Sequence, residues 1–173
     1  MYNFSMSNQT KTLKAISMRN FVFGAEDSLV STVGLLSGIA TAGVERETIL
    51  LTGIVLLSVE AFSMAVGSFL SERSAEEYAV HHEVNPKDSL IGSLVMFFTY
   101  LIAGFIPLSP YIFADGGALS FSIIFSLGAL FAVGVVTAKV VNLRILWNGF
   151  RTLLMGGIAI LVGVFIGRLV GYF

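Results

Sequence analysis

Glu60 and Met64 stand four residues apart inside the otherwise apolar run LTGIVLLSVEAFSMAVGSFL, Leu51 to Leu70. On a helix they share one face, separated by about 6 Å of rise, so a single ion can reach both side chains. Gly67 and Ser71 continue that face at three- and four-residue steps. A charged acid at mid-membrane depth costs on the order of 2.5–3.5 kcal/mol on insertion scales, so something must offset it. A polar cavity, a cation or a bound proton would each do so. Carboxylate oxygen alone suits Mg²⁺ or Ca²⁺, whereas an added thioether shifts preference toward a transition metal such as Fe²⁺.

A second candidate face lies on the preceding apolar run, where Asp27, Ser31, Gly34 and Gly38 recur at helical spacing. If the two faces meet, Asp27, Glu60 and Met64 line one path. Each residue also has a plainer reading. Methionine in a membrane helix is ordinarily an apolar filler, and Asp27 could sit in a first turn, favoured by the helix dipole. Glu60 has no comparably cheap alternative, because ionisable groups within a span typically mark ion or proton pathways. A carboxylate must be unprotonated to bind a metal, so metal and proton compete for it. That competition is what an exchanger needs.

The segment SERSAEEYAVHHEVNPKDS follows. Glu72, Glu76 and Glu83 fall near one helical face, and Glu77 and His81 are four apart. Oxygen and imidazole at that spacing can gather a divalent ion at a cytoplasmic mouth formed by Glu72, Glu76, Glu77 and His81. The competing reading is a solvated loop whose charges keep it in water. Pro86 is expected to end whatever helix leaves the membrane.

The elements that position these residues follow from composition. The 173 residues are 55% hydrophobic and 12% charged, and the mean hydropathy is +0.87. A soluble domain carries about twice that charged share, so an all-α integral membrane protein is expected. The net charge of −1 gives no reason to expect a nucleic-acid partner. Without cysteine there is no disulfide framework, thiolate site or thiol nucleophile. The opening residues lack the apolar core of a signal peptide, so no cleavage is expected.

Crossing the hydrocarbon layer takes about 20 largely apolar residues. Leu90 to Ala114 and Gly116 to Ala138 contain no charged residue, with PLSPYIFADGG read as the turn between them. Thr152 to Phe173 qualifies if Arg168 snorkels. Phe21 to Gly43 and Thr48 to Ser71 qualify despite their acids. That makes five transmembrane helices in a single domain over residues 21–173, preceded by a cytoplasmic segment, residues 1–20, that could lie at the interface. Residues 72–88 form an acidic cytoplasmic loop. Eight of the ten lysines and arginines, among them Lys14, Arg19, Arg73, Lys139 and Arg151, fall on one side, leaving Arg46 and Arg168 opposite. The positive-inside rule therefore puts the N-terminus in the cytoplasm. Gly34 and Gly38, and the ladder Gly163, Gly167 and Gly171, mark faces where backbones approach closely, within the bundle or between subunits.

These residues together resemble the vacuolar iron transporter family over most of the chain. FGAEDSLVSTVGLLSGIATAG is similar to the family's first helix, whose FGxxDGLVT-type opening carries an ion-path aspartate at the place of Asp27. AFSMAVGSFLSERSAEEY resembles the second-helix signature SMxxGxYLSxxSExxxY and aligns Met64 with a metal-path methionine. GFIPLSPYIF is similar to GxxIPLxPY, with Pro107 and Pro110 in place, and the glycine-rich ending matches the last helix. The resemblance implies a five-helix homodimer that moves Fe²⁺, often Mn²⁺ as well, out of the cytosol in exchange for protons. It also implies a path between subunits lined by first- and second-helix residues, with the first-helix glycines near the interface. Two departures stand out. The family's second-helix glutamate lies two turns before the methionine, where this chain has Leu56; Glu60, one turn nearer, takes its place in our reading. The long glutamate-rich insertion of some plant members is reduced here to residues 72–88.

The function expected is a divalent metal/proton antiporter with no tightly bound cofactor, in the inner membrane of a prokaryote or an organelle membrane such as the vacuole of a eukaryote. The alternatives are a passive cation channel and a membrane scaffold that moves nothing. An enzyme is not expected, since no metal-protease helix, phosphate loop or triad is present.

Overall fold

A computed structural model describes residues 2–83, 85–114 and 116–171, with side chains from residue 13 onward. Five helices account for nearly all of them: α1 (Tyr2–Thr41), α2 (Arg46–Val80), α3 (Lys87–Phe113), α4 (Ala118–Val141) and α5 (Ile145–Gly171). Each contains a stretch long and apolar enough to cross a membrane. The expected five-helix all-α class is observed.

Several boundaries differ from the sequence expectation. No break separates the described part of the 1–20 segment, residues 2–20, from the first span, because α1 is one helix of 40 residues. At 1.5 Å per residue it is about 60 Å long, twice the hydrocarbon thickness. The first half of the acidic segment is also helical, since α2 runs to Val80 and ends at His81 in a left-handed conformation (φ 57°). Pro86 stops nothing; it is the N-cap of α3. The supposed turn PLSPYIF belongs to α3, which passes through both Pro107 and Pro110. Proline removes a backbone donor, and in lipid the orphaned carbonyl needs another partner. Ser109 Oγ donates to the Ile106 carbonyl (2.9 Å), the one Pro110 leaves without its usual partner. Arg46 caps the end of α3 by donating to the carbonyls of Tyr111 (2.6 Å) and Ile112 (2.7 Å). The α3–α4 turn therefore shrinks to residues 114–117.

The first helix is the mast of the bundle. It packs against all four others, whereas among the described residues α2 touches α1 and α3 alone. Leu29, Val33 and Leu36 form its buried line, with Leu29 meeting Ala103 and Leu130, and Leu36 meeting Leu108, from α3 and α4. Lipid offers no hydrophobic driving force between helices, so close packing must supply the attraction. The glycines provide it at the α1–α5 contact. A Cβ at Gly38 would lie 2.9 Å from the Gly163 carbonyl oxygen, and one at Gly167 would collide with the Gly38 carbonyl. Gly34 and Gly38 are thus used inside this chain, against the α5 ladder. The outer faces of α2 and α5 carry exposed large apolar side chains such as Val59, Phe62, Leu161 and Phe165, as a lipid-facing or partner-facing surface requires.

Candidate ion site

The α3 residues Met96, Tyr100, Ala103, Gly104 and Pro107 recur at three- and four-residue steps and face inward. That stripe carries the Tyr100 side chain, 1% exposed, into the junction of α1, α2 and α3. There its hydroxyl donates to Glu60 Oε2. Ser31 of α1 donates to the same oxygen at 3.3 Å and lies 2.9 Å from the Tyr100 hydroxyl. Ser28, one turn earlier, fixes the local α3 backbone through the Tyr100 carbonyl (2.6 Å). Glu60 Oε1 has no hydrogen-bond partner among the described residues. The half-buried carboxylate is therefore oriented by hydroxyls on one oxygen while the other stays open.

Met64, one turn along α2, packs beside Leu57, Ala61 and Tyr100. It lines a cavity of about 610 Å³ between α1, α2 and α3, together with Gly67 and Ser71 from the expected face. Asp27 lies elsewhere. With Glu26, Thr137, Asn148 and Arg151 it lines a separate cavity of about 460 Å³ between α1, α4 and α5. Asp27 and Glu60 repel one another across the α1–α2 contact, and Glu26 is attracted to Arg151. The three sequence candidates thus line no single cavity: Asp27 is in the wall of one, Met64 in the wall of another, and Glu60 is among the lining residues of neither.

The residues expected to form a cytoplasmic mouth do not assemble into one cluster. Glu72 is buried, and its Oε1 accepts from Arg19 Nη2, Asn20 Nδ2 (2.7 Å) and Ser68 Oγ (3.2 Å). Glu77 accepts from Arg73 at 2.7 Å. Glu76 is exposed, and His81 sits at the end of α2 in an edge-type ring contact with Tyr78. No group of three or more His, Cys, Asp or Glu side chains fit to hold a metal occurs among the described residues.

Sequence reasoning missed Tyr100, Asn20 and Met96. Tyr100 and Met96 were legible as members of an inward stripe in a span passed over because it lacks charge. Asn20 had no local signal, since its partner lies 52 residues away.

Comparison with known proteins places the chain. The family model for the VIT family matches residues 18–90 and 79–168. A vacuolar iron transporter from Centaurea cyanus is 24% identical over 83% of this chain and 83% of its own length. Vacuolar iron transporter 1 of Arabidopsis thaliana is 21% identical over 82% and 81%. Vacuolar iron transporter homolog 4 of the same plant is 41% identical over a shorter stretch, 36% of this chain and 32% of its own. With matches spanning almost every residue from the middle of α1 to the end of α5, this multi-pass membrane protein belongs to the VIT family.

Proposed function

We propose that the protein is a transporter that carries Fe²⁺ or Mn²⁺ out of the cytosol in exchange for protons, with Glu60 as the group on which the two ions alternate. The observation that supports this most is the company Glu60 keeps. Its partners are hydroxyls, so its charge is not neutralised by a resident cation. In a low-dielectric setting an uncompensated carboxylate favours whichever cation is offered, a proton or a metal, and one excludes the other.

Each neighbour has a defined part. Tyr100 and Ser31 hold Oε2 and leave Oε1 to the arriving ion. Met64 offers a thioether one turn away, which favours a transition metal over Ca²⁺. Asp27 adds a second negative charge within electrostatic reach and draws a divalent cation toward the α1–α2 contact. The direction of transport rests on the basic end of the bundle being cytosolic. Pairing into a homodimer rests on the family and on the apolar outer face of α2, where Val59, Phe62 and Val66 are exposed.

The test is flux in liposomes under an imposed pH gradient, with Fe²⁺, Mn²⁺, Zn²⁺ and Ca²⁺ offered to wild type, Asp27→Asn, Glu60→Gln and Met64→Leu. Antiport predicts metal flux with opposite proton flux, both lost in Glu60→Gln. Metal flux without proton movement would indicate a channel. Absence of both from the wild type would indicate a scaffold.

A further inference from the structure

The cavity that Met64 lines has a second sulfur. Met96 of α3 is 2% exposed and is among the residues that border this same space. On the α1 side, Gly24 leaves room for that sulfur: a Cβ there would come within 3.0 Å of Met96 Sδ. Two helices thus contribute one methionine each to the wall of a single space, which Ser63, Ser68 and Ser71 also line.

The charge around the cavity is already balanced. No aspartate or glutamate is among the residues that line it, and its one cation, Arg19, is held by Glu72. The cavity on the other side of α1 is the reverse, with Glu26 and Asp27 in its wall. A hard cation such as Mg²⁺ or Ca²⁺ requires anionic oxygen to replace its water. With no carboxylate in the lining and the neighbouring Glu72 paired to Arg19, such an ion finds little here, while a softer ion gains two polarisable donors.

We infer that the α1–α2–α3 cavity is a reception site for soft and borderline divalent cations, held by Met64 and Met96 together, and that Met96 is a specificity-determining residue. The inference rests on the transport reading and refines it: selection occurs on sulfur, one turn before the ion reaches Glu60. A methionine serving only as apolar filler would be replaceable by leucine without consequence, because the exchange nearly conserves volume.

That contrast sets the experiment. Cd²⁺ and Mg²⁺ binding is measured by titration calorimetry on the full chain in nanodiscs, for wild type, Met96→Leu and Met64→Leu. Flux of Cd²⁺ and Mn²⁺ is followed in liposomes prepared from the same samples. Each thioether lost should weaken Cd²⁺ binding about tenfold and lower the Cd²⁺:Mn²⁺ flux ratio in step. Mg²⁺ binding should stay weak throughout. Melting curves confirm that each leucine variant is folded, and Met96→Ile replaces Met96→Leu if that variant is not. If wild type carries metal and Met96→Leu matches it in Cd²⁺ affinity and flux ratio, the inference is overturned while transport stands. A wild type that carries no metal overturns the transport reading, and this inference with it.

Discussion

Glu60 and Glu72 are two acids of one helix, about three turns apart, and they keep different company. Glu72, near the basic end of the bundle, accepts from a guanidinium, an amide and a hydroxyl on a single oxygen, and its side chain is 5% exposed. Glu60, deeper in the span, accepts only from the hydroxyls of Tyr100 and Ser31. Each acid has one oxygen without a hydrogen-bond partner among the described residues, so what separates them is the cation: the charge of Glu72 is matched by Arg19, which ties α1 to α2. Glu60, oriented by neutral donors, retains its charge. The same side chain therefore serves as a clasp between α1 and α2 in one place and, in the function proposed above, as an ion seat in the other.

That division can be broken in several ways. The largest effect is expected from Glu60→Gln, which keeps the shape and removes the charge. Metal flux should fall by about 10- to 100-fold, the range for lost metal-site interactions, while the melting temperature in detergent barely moves. Arg19→Ala should do the opposite. It leaves Glu72 buried without its cation, which costs about 3–5 kcal/mol for a fully buried pair. Because the Arg19 side chain is 61% exposed, about 2 kcal/mol is the better expectation. Thermal unfolding should drop clearly, with flux per folded molecule falling far less than in Glu60→Gln. Tyr100→Phe preserves the packing and deletes one donor, worth about 1 kcal/mol, so KM for metal should rise about fivefold. Ser31→Ala removes a longer, weaker bond and should raise KM by about twofold or less. Equal flux losses from the Arg19 and Glu60 variants would erase the distinction.

Much of this was written in the sequence, and the parts that were not share a cause. Uncharged runs located the spans, because length and apolarity are local properties. Glu60 declared itself by type, since a carboxylate in such a run needs a reason. The glycine spacing of α1 and α5 announced a close contact, and the two ladders meet each other. The prolines misled, because whether a helix survives them depends on donors elsewhere: Ser109 within α3, and Arg46 across the bundle from α2. Glu72 misled likewise. Its acidic neighbourhood suggested a metal mouth, while the residues that claim it, Arg19 and Asn20, lie 53 and 52 positions earlier. Pairing at that separation is fixed by tertiary packing, which periodicity does not encode.

The most direct test compares the two acids in one assay. Fe²⁺ influx and proton counterflow are recorded together in liposomes containing wild type, Glu60→Gln or Glu72→Gln, normalised to folded protein. Loss of both fluxes in Glu60→Gln, with both retained in Glu72→Gln, is the predicted result. Coupled flux that persists without the Glu60 charge, or vanishes only without that of Glu72, would contradict the assignment of the ion seat.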